Sequence, residues 1–210
     1  MMKLYCMGES GNAYKAALPL ALSGLDWVAV YVDFFGGETR SADFRKLNVM
    51  GEVPVLVDGD AVLTQSGLIQ MHISDKCGKF GGTDAAEARD TLRWVLWDNH
   101  KLSSQAGMTR FLMNFLPKEK RNPDVIAFAQ ARLAGAYATL DAHLAARDWI
   151  VGDGPSNADF SCCGYLFYPE PFGFDRAEWP AIDLWLSRIE ALPGWRAPYD
   201  LMPGSPADRA

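Results

Sequence analysis

The sequence lacks most of the signals of metal-binding, membrane-spanning and nucleic-acid-binding proteins. Among 210 residues there are only three histidines and four cysteines, with no CxxC pair and no zinc-ligand spacing. No apolar run approaches the roughly 18 residues of a membrane span, and the N-terminus lacks the pattern of a signal peptide. The net charge of −6 argues against a nucleic-acid partner. We therefore expect a reduced, cytoplasmic protein that binds no metal, membrane or nucleic acid.

The composition is that of a globular chain. Hydrophobic residues make up 49% of it and charged residues 22%, close to the usual averages, which excludes a disordered, collagen-like or coiled-coil protein. Seven tryptophans and eleven phenylalanines can fill a substantial core. The length allows one large domain or two small ones. Adjacent Cys162 and Cys163 are expected to be small buried helix residues rather than a strained disulfide.

The first 78 residues predict the element order β-α-β-α-β-β-α. Strands are expected at residues 3–7 and 27–33, and two apolar runs around Asp58-Gly59-Asp60 predict a hairpin. Helices are expected from Asn12, as a cap, to Ser23, from Ser41 to Leu47, and from Ser66 to Lys76. This order is that of the thioredoxin-like fold, so residues 1–78 are predicted to form an α/β domain.

The second half reads as all-helical. After a glycine-rich linker at 79–84, β-branched runs disappear and helical periods dominate, so residues 85–210 are predicted to form a helical domain. The predicted helices are 85–105, 124–146, 157–167 and 181–192. Ser156 and Asp159 are spaced as a capping box for the third of them. The proline-containing tail from Arg196 is not expected to sustain a helix.

Two local motifs in the α/β half suggest a ligand site. Pro54 opens a strand, where a proline belongs. In thioredoxin-like folds this proline is cis, which turns the backbone of Val53 outward toward a bound peptide. Ser66, after Gln65, starts the next helix, and a helix N-terminus with a serine hydroxyl suits a carboxylate.

Several further segments, spread across nearly the whole chain, belong together. In the α/β half they are Leu4-Tyr5, Ser10-Gly11-Asn12-Ala13-Tyr14-Lys15, the run from Asn48 to Leu56, and Gln65-Ser66-Gly67. In the helical half they are Arg93-Trp94 and the capping box at Ser156. Together these segments resemble the cytosolic glutathione transferase family. The Ser-Gly-Asn-x-x-Lys segment is similar to bacterial members, including the Nu class.

The resemblance implies a homodimeric detoxification enzyme whose thioredoxin-like domain binds glutathione. Its helical domain would shape a pocket for a small hydrophobic electrophile. In the Nu class a threonine and an asparagine approach the sulfur, which assigns Ser10 and Asn12 as the catalytic pair here. Because the thiolate is the nucleophile, hydrogen bonds to sulfur and the helix N-terminus are expected to stabilise it. Tyr5 and Cys6 are alternative partners of the sulfur.

The remaining site residues follow from the same resemblance. The glutathione-binding residues are expected to be Glu52, Val53, Pro54, Gln65 and Ser66. A basic residue around the second helix, Arg40, Arg45 or Lys46, is expected at the glycyl carboxylate, and Arg40 is the first candidate. Met108 and Phe111 are candidates for the electrophile pocket. Residues 168–174 either form a wall of that pocket or cap the domain.

Three functions are compatible with these residues. The first is conjugation of glutathione to small electrophiles. The second is glutathione-dependent disulfide reduction or peroxide reduction, in which the glutathione sulfur performs the redox chemistry. The third is non-catalytic binding, because a fold does not by itself determine a function.

Overall fold

Four strands form one mixed sheet in the computed structural model of the chain, which describes residues 1–206. The strands are β1 (Met2–Cys6), β2 (Trp27–Tyr31), β3 (Val55–Asp58) and β4 (Ala61–Thr64). They lie in the order β2-β1-β3-β4. β1 and β2 are parallel, and β3 is antiparallel to both of its neighbours. The predicted βαβ unit followed by a hairpin is therefore confirmed.

Three helices accompany this sheet: α1 (Gly11–Ser23), α2 (Ala42–Leu47) and α3 (Ser66–Cys77). Their ends follow local signals. Ser41 caps α2, with Oγ accepting from the Phe44 amide at 3.1 Å. Gly24 and Gly78 end α1 and α3 in the left-handed conformation that glycine adopts without strain.

The two faces of the sheet bury different sets of side chains. On one face, Val32, Phe44 and Val55 form a buried cluster. The other face buries Leu4 and Leu56, which are partners in the β1–β3 register and are fully inaccessible. Residues alternate between faces along a strand, so the sheet is covered on both sides. This burial fixes the register of β3 against β1.

A second compact unit, residues 82–192, contains the helices of the C-terminal half. They are α4 (Ala85–Trp97), α5 (Ser103–Arg110), α6 (Pro123–Leu144), α7 (Asn157–Cys162) and α8 (Pro180–Glu190). None of the helices within residues 1–206 is long and apolar enough to cross a membrane.

Two predicted helix ends in this unit are wrong. The helix expected to stop at residue 105 continues to 115, through π-helical stretches at Asp98–Leu102 and Phe111–Phe115. No proline interrupts it between residues 85 and 116, and Pro117 then forces Leu116 into an extended conformation. The helix expected at 157–167 ends at Cys162, because the following amides bond three residues back, as Gly164 does to Ser161 at 3.2 Å.

The predicted capping box at α7 is confirmed and is part of a buried network. Asp159 Oδ2 accepts from the Ser156 amide at 2.8 Å and from its hydroxyl at 2.7 Å. Asp159 Oδ1 accepts from the Ile150 amide at 2.9 Å and from Trp185 Nε1 at 2.8 Å. Burial raises the pKa of this carboxyl, and the donors oppose that rise. Cys162 and Cys163 are buried nearby and form no disulfide, as expected.

The C-terminal segment differs from the prediction in two respects. From Pro193 onward, the described residues group with residues 1–81 rather than with the helical unit to which the sequence assigned them. The segment also contains a one-turn helix, α9 (Pro198–Leu201), where no helix was expected. Pro198 starts that turn at a position that needs no amide hydrogen. Leu201 is buried, so tertiary packing stabilises a turn that the composition disfavours.

Candidate functional site in the thioredoxin-like unit

The topology brings the three predicted ligand motifs to one edge of the sheet. Tyr5 of β1 lies opposite Val55 of β3, and Val55 lies opposite Thr64 of β4. Because β3 is antiparallel to both neighbours, the carboxyl ends of β1 and β4 meet the amino end of β3. β1 leads toward Ser10, Gln65 follows β4, and Val53-Pro54 precedes β3. Residues far apart in sequence therefore share one edge.

Ser10 is the N-cap of α1. Its Oγ accepts from the Ala13 amide at 3.1 Å, and its own amide bonds to the Met7 carbonyl at 3.0 Å. A hydroxyl that accepts one hydrogen bond still has its proton to donate. Ser10 is half-buried at the positive end of α1, so it can donate to an anion placed there.

Asn12 does not cap α1 as the sequence predicted. It is the second residue of the helix, because Ser10, two positions earlier, has the extended conformation and the side-chain bond of the cap. The Asn12 side chain is half-buried and makes no hydrogen bond to another residue in the described range 1–206. Its amide is thus available to a ligand.

The Val53–Pro54 peptide bond is cis, as expected from the fold. The loop before it is held by Asn48, which is buried. Asn48 Nδ2 donates to the Glu52 carbonyl at 2.8 Å, and Asn48 Oδ1 accepts from the Met50 amide at 3.0 Å. Asn48 belongs to a segment that resembles the family, but its structural role was not predicted from the sequence. An Asn-x-Met-Gly loop before the Val-Pro pair is the signal that would have found it, because asparagine commonly bonds its own turn.

Gln65, and not Ser66, is the N-cap residue of α3, so the predicted capping role of Ser66 is wrong. Gln65 adopts the left-handed side of backbone space, with φ of 68°, which is uncommon outside glycine. Ser66 is the first helical residue and is buried, and its hydroxyl bonds to no other described residue. The first amides of α3 have no partner within the helix, so with this hydroxyl they can receive a carboxylate.

Gln65 and Glu52 lie next to each other at this helix start. Gln65 Nε2 lies 3.4 Å from Glu52 Oε2 and 3.1 Å from Met50 Sδ. Both Gln65 and Glu52 are exposed. A carboxylate beside a helix N-terminus offers complementary groups for the ammonium and the carboxylate of an amino acid.

The structure distinguishes the three basic candidates. Lys46 pairs with Asp43 at 2.7 Å, and Arg45 NH1 donates to the Val49 carbonyl at 3.2 Å. Arg40 is exposed and forms no ion pair with any residue between 1 and 206. Arg40 ends a one-turn helix, Glu38–Arg40. This helix lies against the loop that carries Glu52: a Cβ placed on Gly51 would come within 2.9 Å of the Thr39 carbonyl oxygen. Arg40 is the guanidinium that remains available.

The two alternative sulfur partners lie inside the sheet. Tyr5 packs against the cluster of Val32, Phe44 and Val55. Cys6 is fully buried, and burial raises its pKa to about 12. A thiol with that pKa is protonated at neutral pH and is a poor nucleophile. Cys6 therefore belongs to the core, and Tyr5 is partly buried against it.

The helical unit holds the electrophile-pocket candidates. Met108 is 41% exposed and Phe111 is 39% exposed, on α5 and the π-helical stretch after it. Both offer apolar surface at neighbouring turns of one helix.

Residues 168–174 contact α5 and its π-helical extension within this unit. Arg110, itself buried, pairs with Glu170 at 2.7 Å and stacks its guanidinium 3.8 Å from the Tyr168 ring centroid. Asn114 Nδ2 donates to the Pro171 carbonyl at 2.9 Å. The segment is thus fastened to α5 and its extension. The charged partner was not found from the sequence, because 60 residues separate Arg110 from Glu170.

Comparisons with known proteins agree with this fold. Residues 1–75 match the family model for the glutathione S-transferase N-terminal domain, and residues 104–193 match that for the C-terminal domain. The chain is 34% identical over 164 residues to glutathione S-transferase 3 of Zea mays, covering 75% of this chain and 73% of that one. A solved glutathione S-transferase from Xanthobacter autotrophicus Py2 superimposes with a TM-score of 0.88 at 31% identity, over 100% of this chain and 99% of that chain.

Relatives with other activities also match over most of their length. The disulfide-bond oxidoreductase YfcG of Escherichia coli K12 is 26% identical over 200 residues, covering 92% of each chain. The maleylacetoacetate isomerase of Pseudomonas aeruginosa is 27% identical over 216 residues, covering 98% of this chain and 100% of that one. The motifs at the sheet edge and the match to both domains lead to one conclusion: the chain is an enzyme of the glutathione S-transferase family.

Proposed function

We propose that this enzyme binds glutathione at the sheet edge and conjugates its thiolate to small hydrophobic electrophiles. The observation that carries the proposal is the convergence of Ser10, the cis Val53–Pro54 bond and the start of α3 at that edge. Ser10 supplies a hydrogen-bond donor for the sulfur, Val53 supplies backbone groups for the peptide, and the start of α3 supplies a helix N-terminus for a carboxylate.

In this proposal different residues bind different parts of glutathione. The backbone of Val53, beside Pro54, pairs with the cysteinyl unit as an added strand does. Ser66 and the first amides of α3 receive the γ-glutamyl carboxylate, and Glu52 with Gln65 receives its ammonium group. Arg40 faces the glycyl carboxylate.

Ser10 and Asn12 then stabilise the sulfur. A free thiol has a pKa near 8.5, so most of it is protonated at neutral pH. A hydroxyl donor, an amide donor and the positive end of α1 all favour the thiolate, and each unit by which the thiol pKa falls requires about 1.4 kcal/mol. No strong general base is needed, since the anion itself is stabilised. Met108 and Phe111 are proposed to contact the electrophile.

The test is a calorimetric titration with reduced glutathione, followed by a spectroscopic conjugation assay with chlorodinitrobenzene. We expect saturable binding of one glutathione per chain and turnover that depends on glutathione. The matched variants are Glu52→Gln, at the sheet edge, and Asp60→Asn, in the turn between β3 and β4. Glu52→Gln is expected to raise the KM for glutathione severalfold with little change in kcat, and Asp60→Asn to change neither. No binding at millimolar glutathione, or equal effects of the two variants, would overturn the proposed site.

Glutathione-dependent disulfide reduction is the second candidate. Similarity to YfcG over 92% of both chains favours it. A buried Cys6 with a pKa of about 12 leaves the glutathione sulfur, and not a protein thiol, as the attacking group. Turnover of hydroxyethyl disulfide at a higher kcat/KM than chlorodinitrobenzene would make the reductase the main activity. Binding of glutathione without turnover of any electrophile, disulfide or peroxide would identify a binding protein.

A homodimer in the cytoplasm completes the proposal. Leu92 and Leu96 expose 42% and 61% of their surface on α4, as a face that a second copy would cover. Light scattering is expected to give a molar mass twice that of one chain. Leu96→Glu is expected to shift the measured mass toward that of a single chain.

A further inference from the structure

The C-terminal segment contacts the loop that carries Ser10. Gly8 donates its amide hydrogen to the Pro203 carbonyl at 2.6 Å, and Gly8 is buried. The β1–β2 ladder has ended by this point, since its last contact is the Val32 amide to the Cys6 carbonyl at 3.0 Å. A buried amide needs an acceptor. Here the acceptor comes from the far end of the chain.

The contact leaves no room for a side chain at Gly8. A Cβ there would overlap the Gly204 carbonyl oxygen and would lie 3.1 Å from Tyr199 Cδ1. Because the first obstacle is backbone, no side-chain rotation would relieve the overlap. An alanine at this position must displace either the segment or the loop.

Gly204 is equally confined on its own side. It adopts the left-handed region, with φ of 87°, and a Cβ there would lie 2.6 Å from Tyr31 Cε2 and 3.5 Å from Glu9 Oε2. The segment is also anchored to α1, because Tyr14 donates its hydroxyl to the Arg196 carbonyl at 2.8 Å. We call residues 196–204 the C-terminal strap.

We propose that the C-terminal strap is a positioning element for Ser10, and this inference rests on the proposed function. Only Glu9 separates Gly8 from Ser10 along the chain. The Ser10 amide closes the turn onto Met7, and its Oγ caps α1, so a displacement at Gly8 is passed to the hydroxyl. Hydrogen bonds weaken steeply with distance and angle. A displacement of this hydroxyl should therefore affect the thiolate more than it affects the binding of the peptide.

The test is Gly8→Ala, with two readouts on bound glutathione. The ultraviolet absorbance of the thiolate is titrated with pH, and S-methylglutathione, which has no thiol, is used to measure binding alone. We expect the bound thiol pKa to rise by about one unit, which lowers the thiolate fraction and kcat/KM roughly tenfold at neutral pH. The dissociation constant of S-methylglutathione should change by less than about twofold.

A double-mutant cycle separates positioning from a general loss of structure. If the strap acts through Ser10, then Gly8→Ala in a Ser10→Ala background should add little to the thiol pKa. Gly154→Ala is the matched control, because a Cβ on Gly154 meets nothing within 4 Å, and it should leave both readouts unchanged. Where Gly8→Ala does not fold, a chain ending at Met202, which lacks Pro203 and Gly204, is compared with one ending at Pro206.

The outcomes are distinguishable. A wild-type thiol pKa in Gly8→Ala and in the chain ending at Met202, or effects that add fully to those of Ser10→Ala, would overturn the role of the strap alone. A wild-type protein that binds neither glutathione nor S-methylglutathione would overturn the proposed function, and the strap inference with it.

Discussion

Replacing Ser10 with alanine removes two interactions that can be measured separately. The first is the cap of α1, in which Oγ accepts from the Ala13 amide at 3.1 Å. Loss of such a cap costs about 1 kcal/mol of the free energy of unfolding. The second is the proposed donation from the hydroxyl to the glutathione sulfur.

The second loss sets the size of the catalytic effect. A hydrogen bond to a charged group contributes about 1.5–3 kcal/mol. Removing it should raise the thiol pKa of bound glutathione by about one to two units. At neutral pH, kcat/KM should fall roughly 10- to 100-fold. The rise of kcat/KM with pH should move to higher pH, and the rates of variant and wild type should approach each other where both thiols are ionised.

Ser41→Ala is the matched control. Ser41 caps α2 with the same geometry, accepting from the Phe44 amide at 3.1 Å, so it loses an equivalent cap. We expect a similar loss of stability and an unchanged thiol pKa. Ser10→Thr keeps the hydroxyl and should restore most of the turnover. A Ser10→Ala enzyme with wild-type turnover and thiol pKa would refute the assignment of Ser10.

Three further predictions concern other parts of the molecule. Asp159→Asn should lower the free energy of unfolding by about 3 kcal/mol in chemical denaturation, because the new NH₂ group faces donors that the carboxylate now satisfies. The control Asp148→Asn, at an exposed carboxylate, should cost less than about 1 kcal/mol, and equal costs of the two variants would contradict this prediction. Cys6→Ala should retain turnover, and iodoacetamide should not alkylate Cys6 in the native protein, since burial raises the pKa of this thiol to about 12. Loss of turnover in Cys6→Ala would show that Cys6 takes part in the reaction. Hydrogen bonds from Lys76 and His72 lower the pKa of Asp58, so ionised Asp58 stabilises the fold above the unfolded pKa near 3.9, and this stabilisation is lost as pH falls through the lower folded pKa. Asp58→Asn should therefore make the melting temperature fall less steeply in acid, and an unchanged slope would contradict this role of Asp58.

Several features of this fold were predictable because a few neighbouring residues determine them. Asp58-Gly59-Asp60 between two apolar runs forms the β3–β4 hairpin. The cap at Ser41 and the glycine ends of α1 and α3 follow from the same kind of short-range hydrogen bonding. These preferences act within about one turn of chain, so they can be inferred without tertiary structure.

Predictions failed where two nearby residues had similar local preferences. Ser10 and Asn12 are both good cap residues, and the side-chain bond to Ala13 decides for Ser10. Likewise Ser66 favours the cap, but the chain leaving β4 places Gln65 there, with φ of 68°. At the start of α3, the path of the backbone out of β4 therefore outweighs the cap preference of Ser66.

The sequence by itself determined the βαβ-plus-hairpin order, the helical second half and the residues that resemble a glutathione site. Only the tertiary structure decided which of them meet. Strand pairing brings Val53 and Gln65 to the edge where β1 leads toward Ser10, and it buries Cys6. It also places Pro203 against Gly8, 195 positions away. Contacts between residues this far apart in sequence depend on how whole elements pack, and no local pattern of residues encodes them.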